Sequence, residues 1–107
     1  MPDDIFQTIQ TQVKTDRIVL YMKGTPAMPQ CGFSQMTVNA LREVGEQFAS
    51  YNVLDDPNLR QGIKDFSNWP TVPQLYVDGE FVGGSDIVLS MLETGDLDKL
   101  IKKEAVA

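Results

Sequence analysis

Histidine is absent from this chain and cysteine occurs once, at Cys31. A single thiol excludes a disulfide within the chain. Without histidine there is also no Cys–His nucleophile pair and no structural zinc set. Any redox or metal chemistry must therefore take thiols or ligands from outside. Basic residues are short as well: nine Lys and Arg stand against fifteen Asp and Glu, giving a net charge of −6 and a pI near 4.4. Such a surface displaces few counterions from a phosphate backbone, so neither nucleic acid nor an anionic membrane is expected as a partner. No apolar run approaches the roughly 20 residues of a membrane span. The acidic start, Met1-Pro2-Asp3-Asp4, has neither an apolar nor an Arg-rich leader pattern. A cytoplasmic protein is expected, or a mature form that has lost a leader. The 107 residues, 42% of them hydrophobic, read as one domain (1–107) with one core.

What is present is a regular alternation of elements. Ile5, Phe6, Ile9 and Val13 recur at helical spacing, with Asp3 and Asp4 at the dipole's positive end. Arg17 to Met22 is a short continuous apolar run, the pattern of a buried parallel strand. A helix is predicted from Phe33 to about Phe48, with Met36, Ala40, Leu41, Val44 and Phe48 on one face and Gly45 weakening its interior. Ala49 to Leu54 alternates as a second strand. Asp55-Asp56-Pro57 opens a helix that turns Leu59, Ile63 and Phe66 inward. After the break at Trp69-Pro70-Thr71-Val72-Pro73, Gln74 to Val77 and Glu80 to Val82 flank the hairpin signal Asp78-Gly79. Gly83-Gly84-Ser85-Asp86 ends that strand and caps a helix carrying Val88, Leu89, Met91 and Leu92, which Thr94-Gly95 terminates. Asp96 is expected to cap a last short helix with Leu97, Leu100 and Ile101, its C-terminus complemented by Lys99, Lys102 and Lys103.

This order, α-β-α-β-α-β-β-α-α, predicts an α/β fold: a mixed sheet with helices on both faces. Sites in such sheets lie beyond the carboxyl ends of the parallel strands. Cys31 follows the first strand and so falls on that edge. Around it runs Lys23-Gly24-Thr25-Pro26-Ala27-Met28-Pro29-Gln30-Cys31-Gly32-Phe33-Ser34, with two of the six prolines and two of the eight glycines, a punctuated rather than periodic stretch. A free cysteine is commonly a buried, inert residue. At the start of a helix it meets unpaired N–H groups and a partial positive charge, which stabilise thiolate; cysteines so placed fall to a pKa of ~3.5–7.5. Lys23 adds to this. Ser34 either donates its hydroxyl to the thiolate or caps the helix, and with no histidine as base it is not a nucleophile.

Four motifs occur in register: Lys23-Gly24-Thr25-Pro26, Cys31-Gly32-Phe33-Ser34, Trp69-Pro70-Thr71-Val72-Pro73-Gln74 and Gly83-Gly84-Ser85-Asp86. Together, over about Ile5 to Lys102, they resemble the monothiol, CGFS-type glutaredoxins, whose fold is thioredoxin-like with a four-stranded mixed sheet. The resemblance implies that Cys31 is the catalytic and metal-binding thiol. It implies that Lys23 and Arg60 hold the glycine carboxylate of glutathione, although a solvated surface role suits either cation alone. A cis Val72–Pro73 bond is implied, which turns the Val72 N–H and C=O outward to pair with the cysteinyl backbone of the tripeptide; Trp69 and Pro70 are core or groove wall. Gly83-Gly84-Ser85-Asp86 can be a plain hairpin exit and cap. As a site, Gly84 admits the ligand to the backbone, the Ser85 and Asp86 turn offers N–H groups to a carboxylate, and the Asp86 carboxylate accepts an ammonium. That combination suits the zwitterionic γ-glutamyl head. Relatives often carry a second cysteine where this chain has Ser85, so no resolving thiol remains in the chain.

A [2Fe–2S] cluster takes four thiolates. One Cys31 and one glutathione per chain supply two, which predicts a cluster-bridged homodimer with two glutathiones. The family implies cluster carriage to apo iron–sulfur acceptor proteins and mixed complexes with BolA-family proteins. Two alternatives stand beside it: a glutathione-dependent oxidoreductase that reduces protein–glutathione mixed disulfides through Cys31, and a redox or iron-signalling adaptor acting through a BolA-like partner. In the family, the residues inserted between Gly24 and Gln30 accompany poor oxidoreductase activity and good cluster binding.

Overall fold

The apolar run after the first helix forms the strand from which the sheet is built. In a computed structural model, which describes residues 3–102, β1 (Ile18–Met22) is buried at every position. Its period of two sends Ile18, Leu20 and Met22 to one face and Val19 and Tyr21 to the other. Lys103 lies outside the described residues. The other elements are α1 (Asp3–Thr15), α2 (Gly32–Val44), β2 (Ala49–Asn52), α3 (Pro57–Ser67), β3 (Gln74–Val77), β4 (Glu80–Gly83), α4 (Ser85–Thr94) and α5 (Asp96–Ile101).

The sheet order is β2-β1-β3-β4, with β2 parallel to β1 and β3 antiparallel to both β1 and β4. On the Leu20 face, Val38, Leu41 and Val44 of α2 pack with Val88 of α4 and Leu97 and Ile101 of α5. On the Tyr21 face lie Ile9 and Val13 of α1 and Leu59 and Ile63 of α3. Each of these aliphatic side chains stabilises the fold by about 1.5–3 kcal/mol when fully buried. This is the thioredoxin-like arrangement implied by the motifs, with its four-stranded mixed sheet between two helical layers.

Three local expectations change. α2 stops at Val44 because Gly45 adopts a left-handed φ of 92° and its N–H bonds to the Leu41 carbonyl; Phe48 packs on the core from beyond the helix. Met36 is exposed, and the inward stripe of α2 includes Ser34 and Thr37 instead. Those two hydroxyls are satisfied by main chain, which lets polar residues occupy core positions. Finally, Gly95 both ends α4 and stands as the N-cap of α5, so Asp96 is the first helical residue and not the cap. Asp56, in contrast, caps α3 as its sequence predicts, accepting from the N–H groups of Asn58 and Leu59 with Pro57 first in the helix.

Strand directions bring the chemistry to one edge. The carboxyl ends of β1 and β2 point the same way. β3 runs against them, so its first residue Gln74 pairs with Tyr21, and Gly83 at the end of β4 pairs with Leu75. Residues after β1, after β2, before β3 and after β4 therefore share that edge.

Candidate functional site at the carboxyl edge of the sheet

Cys31 is the N-cap of α2, in extended backbone conformation, and its side chain is half-buried. Its side chain makes no capping hydrogen bond of regular geometry, yet the Ser34 and Phe33 N–H groups of the first turn act on the sulfur. Burial of the sulfur works toward the neutral thiol. Against it act the backbone N–H groups of Ser34 and Phe33, then the Ser34 hydroxyl, then the Lys23 ammonium, and together they hold the Cys31 pKa below its ordinary value. The site thus favours the thiolate form of a sulfur open to solvent on one side.

Ser34 itself is fully buried at the third position of α2. Its Oγ accepts the Lys23 N–H at 3.1 Å, which leaves the hydroxyl proton directed to the sulfur side. Of the two roles open in the sequence, the thiolate-favouring one holds, because the cap position belongs to Cys31.

The residues between Lys23 and Cys31 form a small hairpin. The Gln30 N–H bonds to the Lys23 carbonyl at 2.9 Å, and Thr25 and Met28 exchange N–H···O bonds at 3.2 and 3.0 Å. Gly24 bridges to Pro29 at a φ of +91°, where a Cβ would stand 2.5 Å from the Met28 carbonyl, so only glycine fits this turn. Asn52 fastens the hairpin to β2: its Oδ1 accepts the Gly24 N–H at 2.9 Å and the Leu54 N–H at 3.0 Å. Arg42 of α2 reaches the Pro26 carbonyl at 3.2 Å. Met28 at the tip is 68% exposed and Phe33 beside Cys31 is 59% exposed.

The remaining predicted residues lie on the same edge, on four segments: after β1, at the start of α3, before β3 and at the start of α4. Lys23 is half-buried and acts on Cys31; Arg60 is exposed in the first turn of α3, and among the described residues neither cation forms an ion pair. The Val72–Pro73 bond is cis, and the Val72 side chain is buried in the Tyr21-face core. Among the described residues, no loop, turn or side-chain hydrogen bond uses the Val72 N–H or C=O. Gly84 caps α4 without a side-chain bond, which leaves the first N–H groups of α4, at Ser85 and Asp86, without a side-chain cap; Asp86 is exposed in that first turn. A Cβ on Gly84 would meet the Pro73 carbonyl at 3.4 Å and the Trp69 Nε1 at 3.5 Å, which sets the cis-proline loop directly against this helix start. Trp69 packs on Phe81 yet stays 41% exposed, so it is a groove wall more than core.

Asn52, Arg42 and the side chain of Gln74 also shape this edge and were not singled out from the sequence. An Asn closing a strand before Asp55-Asp56-Pro57 is a faint turn signal at most. A hollow of about 340 Å³ bordered by Asp16, Arg17, Ile18, Gln47, Phe48 and Ala49 lies at the opposite end of β1, away from the thiol.

Residues 18–82 match the family model for glutaredoxin. The chain is 54% identical over 99 residues to the mitochondrial monothiol glutaredoxin-5 of Lachancea kluyveri, covering 90% of this chain and 69% of that protein. It is 52% identical over 99 residues to glutaredoxin 4 of Buchnera aphidicola, covering 92% of each. The solution structure of reduced poplar GrxS14 superposes with a TM-score of 0.81 at 44% identity, over 94% of this chain and 93% of that one. With its lone thiol in Cys31-Gly32-Phe33-Ser34 at the head of α2, the chain belongs to the glutaredoxin family, on its monothiol side.

Proposed function

We propose that the protein carries [2Fe–2S] clusters, binding one glutathione beside Cys31 and holding its cargo between two copies of the chain. The observation that carries this reading is the setting of the only cysteine: a partly exposed sulfur at the N-cap of α2, where the Ser34 and Phe33 N–H groups, the Ser34 hydroxyl and Lys23 favour the thiolate, the form that binds iron. Among the described residues no group of three or more His, Cys, Asp or Glu is placed to hold a metal, so the cargo's other ligands come from outside the chain. Glutathione supplies one thiolate per copy, and the dimer completes four.

In this reading the groove is built from free backbone and unpaired charge. Lys23 and Arg60 hold the glycyl carboxylate. The Val72 N–H and C=O pair with the cysteinyl backbone, as an added strand would. Gly84 gives room, the Ser85 and Asp86 N–H groups bind the γ-glutamyl carboxylate, and the Asp86 side chain takes the ammonium. Apo iron–sulfur proteins as recipients, and a BolA-family protein as an alternative second subunit, belong to the same proposal, since each replaces the second copy as a source of ligands. The cytoplasm is the proposed compartment, where a lone thiol stays reduced. The name of the L. kluyveri relative points to mitochondria, and cell fractionation separates the two.

The lowering of the Cys31 pKa below its ordinary value also favours a second reading, glutathione-dependent reduction of mixed disulfides. The thiolate attacks the glutathionyl sulfur of a protein–glutathione disulfide, releasing the protein thiolate; glutathione then attacks the Cys31 adduct, yielding glutathione disulfide and restoring the thiolate. Anaerobic reconstitution with iron, sulfide, cysteine desulfurase and glutathione decides between them. The carrier reading expects sulfide-to-iron charge-transfer bands and a glutathione-dependent dimer, both lost in Cys31→Ser. Neither appearing, together with brisk turnover in a glutathione-reductase-coupled assay, transfers the function to the enzyme reading.

A further inference from the structure

We infer that Gln74 is a positioning residue for the ligand edge at Val72: its buried amide fastens the main chain of the 69–72 loop so that the free Val72 backbone is presented in one fixed orientation. This rests on the glutathione-binding reading above and goes beyond it, since Gln74 touches no ligand in that reading.

Gln74 opens β3 and is fully buried. A buried primary amide is costly unless its hydrogen bonds are made. Here they are: Nε2 donates to the Trp69 carbonyl at 3.3 Å and the Thr71 carbonyl at 3.1 Å, and Oε1 accepts the Tyr76 hydroxyl at 3.2 Å. The amide's orientation follows from its partners, because two carbonyls need two donors and only the NH₂ end supplies them. Burial pushes the Tyr76 phenol up to about 12 even with the Ser67 hydroxyl pulling the other way, so Tyr76 remains a donor throughout the working pH range.

The loop is gripped from its other end too. The Trp69 N–H bonds to the Lys64 carbonyl and to Ser67 Oγ, each at 3.1 Å. Trp69 is therefore held through both backbone groups and Thr71 through its carbonyl, which leaves Val72 as the next residue, with neither N–H nor C=O engaged among the described residues. Gln74 also pairs with Tyr21, two residues before Lys23, so the loop is set in register with the strand that delivers the thiol. An apolar residue of the same length fills this space equally well but has no donors for the two carbonyls.

The test uses the full chain with reduced glutathione as the probe. Gln74→Met is expected to weaken binding about tenfold by calorimetry, the worth of one hydrogen bond's ordering. The pH midpoint of Cys31 alkylation is expected to stay unchanged, which a general loosening of the fold would shift. The ¹⁵N order parameters of Thr71 and Val72 are expected to fall from about 0.85 toward 0.6 while those of Leu75 to Val77 hold. Tyr76→Phe, which spares both loop bonds, is expected to cost threefold or less. If Gln74→Met does not fold, Gln74→Asn, too short to reach both carbonyls, takes its place with the same readouts. Affinity within twofold of the parent, or unchanged order parameters at Thr71 and Val72, overturns the inference. If the parent chain itself binds no glutathione, the groove reading fails, and the order parameters alone decide the role of Gln74.

Discussion

Replacing Ser34 by Ala separates two duties of one hydroxyl. Ser34 is fully buried, and its Oγ is the acceptor for the Lys23 N–H. Removing it orphans that donor, which costs about 1–3 kcal/mol when water cannot enter. Lys23 is half-buried, so the lower part of that range applies. Alanine's better helix propensity returns a few tenths, and a net loss of about 1 kcal/mol is expected. In a domain of this size that lowers the melting temperature by roughly 4–8 °C. The second duty is electrostatic: without the hydroxyl, the Cys31 pKa rises toward its ordinary value. The two effects differ in pH dependence. A folded-state pKa below the unfolded one stabilises the fold fully above the unfolded value, about 8.5, and that stabilisation fades as pH falls through the folded midpoint. Ser34→Ala narrows the gap, so its stability deficit is larger at pH 9 than below the folded midpoint, where only the Lys23 N–H counts. Thiolate absorbance near 240 nm follows the midpoint directly, since the chain has one cysteine. Tyrosinate does not intrude below pH 10, because burial raises Tyr21, Tyr51 and Tyr76 alike. An unchanged thiolate midpoint refutes the hydroxyl's action on the sulfur. An unchanged urea midpoint refutes its role as the acceptor for Lys23.

Three further outcomes are expected. Gly24→Ala forces a Cβ into the Met28 carbonyl at a positive φ and is expected to cost about 2–3 kcal/mol, read as a drop in urea midpoint with an unchanged slope. Gly84→Ala meets only ordinary contacts within the chain, so its stability is expected within about 0.5 kcal/mol of the parent while glutathione affinity falls at least tenfold; equal affinity by calorimetry removes Gly84 from the groove. Asp56→Ala takes the cap from α3 and is expected to cost about 1 kcal/mol in the same urea assay.

Much of the frame was legible in local sequence because its signals are local. The apolar run of β1, the Asp56-Pro57 start of α3 and the Asp78-Gly79 turn, with φ of 54° and 82°, each declare themselves within a few residues. The cysteine's place at the sheet's carboxyl edge followed from element order alone. What sequence pattern hides is buried polarity. Ser34, Thr37 and Gln74 are polar by type and buried, because their partners are main-chain groups that no side-chain pattern displays. Asn52 was overlooked for a related reason: it bonds to Gly24, 28 positions earlier in the chain, a pairing fixed only once β1 and β2 lie side by side.

The solitary thiol also determines which property of its surroundings it reports. A protein with two neighbouring thiols closes an internal disulfide on meeting glutathione disulfide and releases two reduced glutathiones, so its oxidised fraction follows the disulfide concentration over the square of the thiol concentration. Cys31 has no second cysteine in the chain, and the residue three places on is a buried serine. Its exchange is one thiol for one thiol. The adduct therefore tracks the simple ratio of disulfide to thiol and is blind to dilution of the whole pool. A cell that changes volume, or doubles its glutathione at fixed ratio, leaves the occupancy of Cys31 where it was.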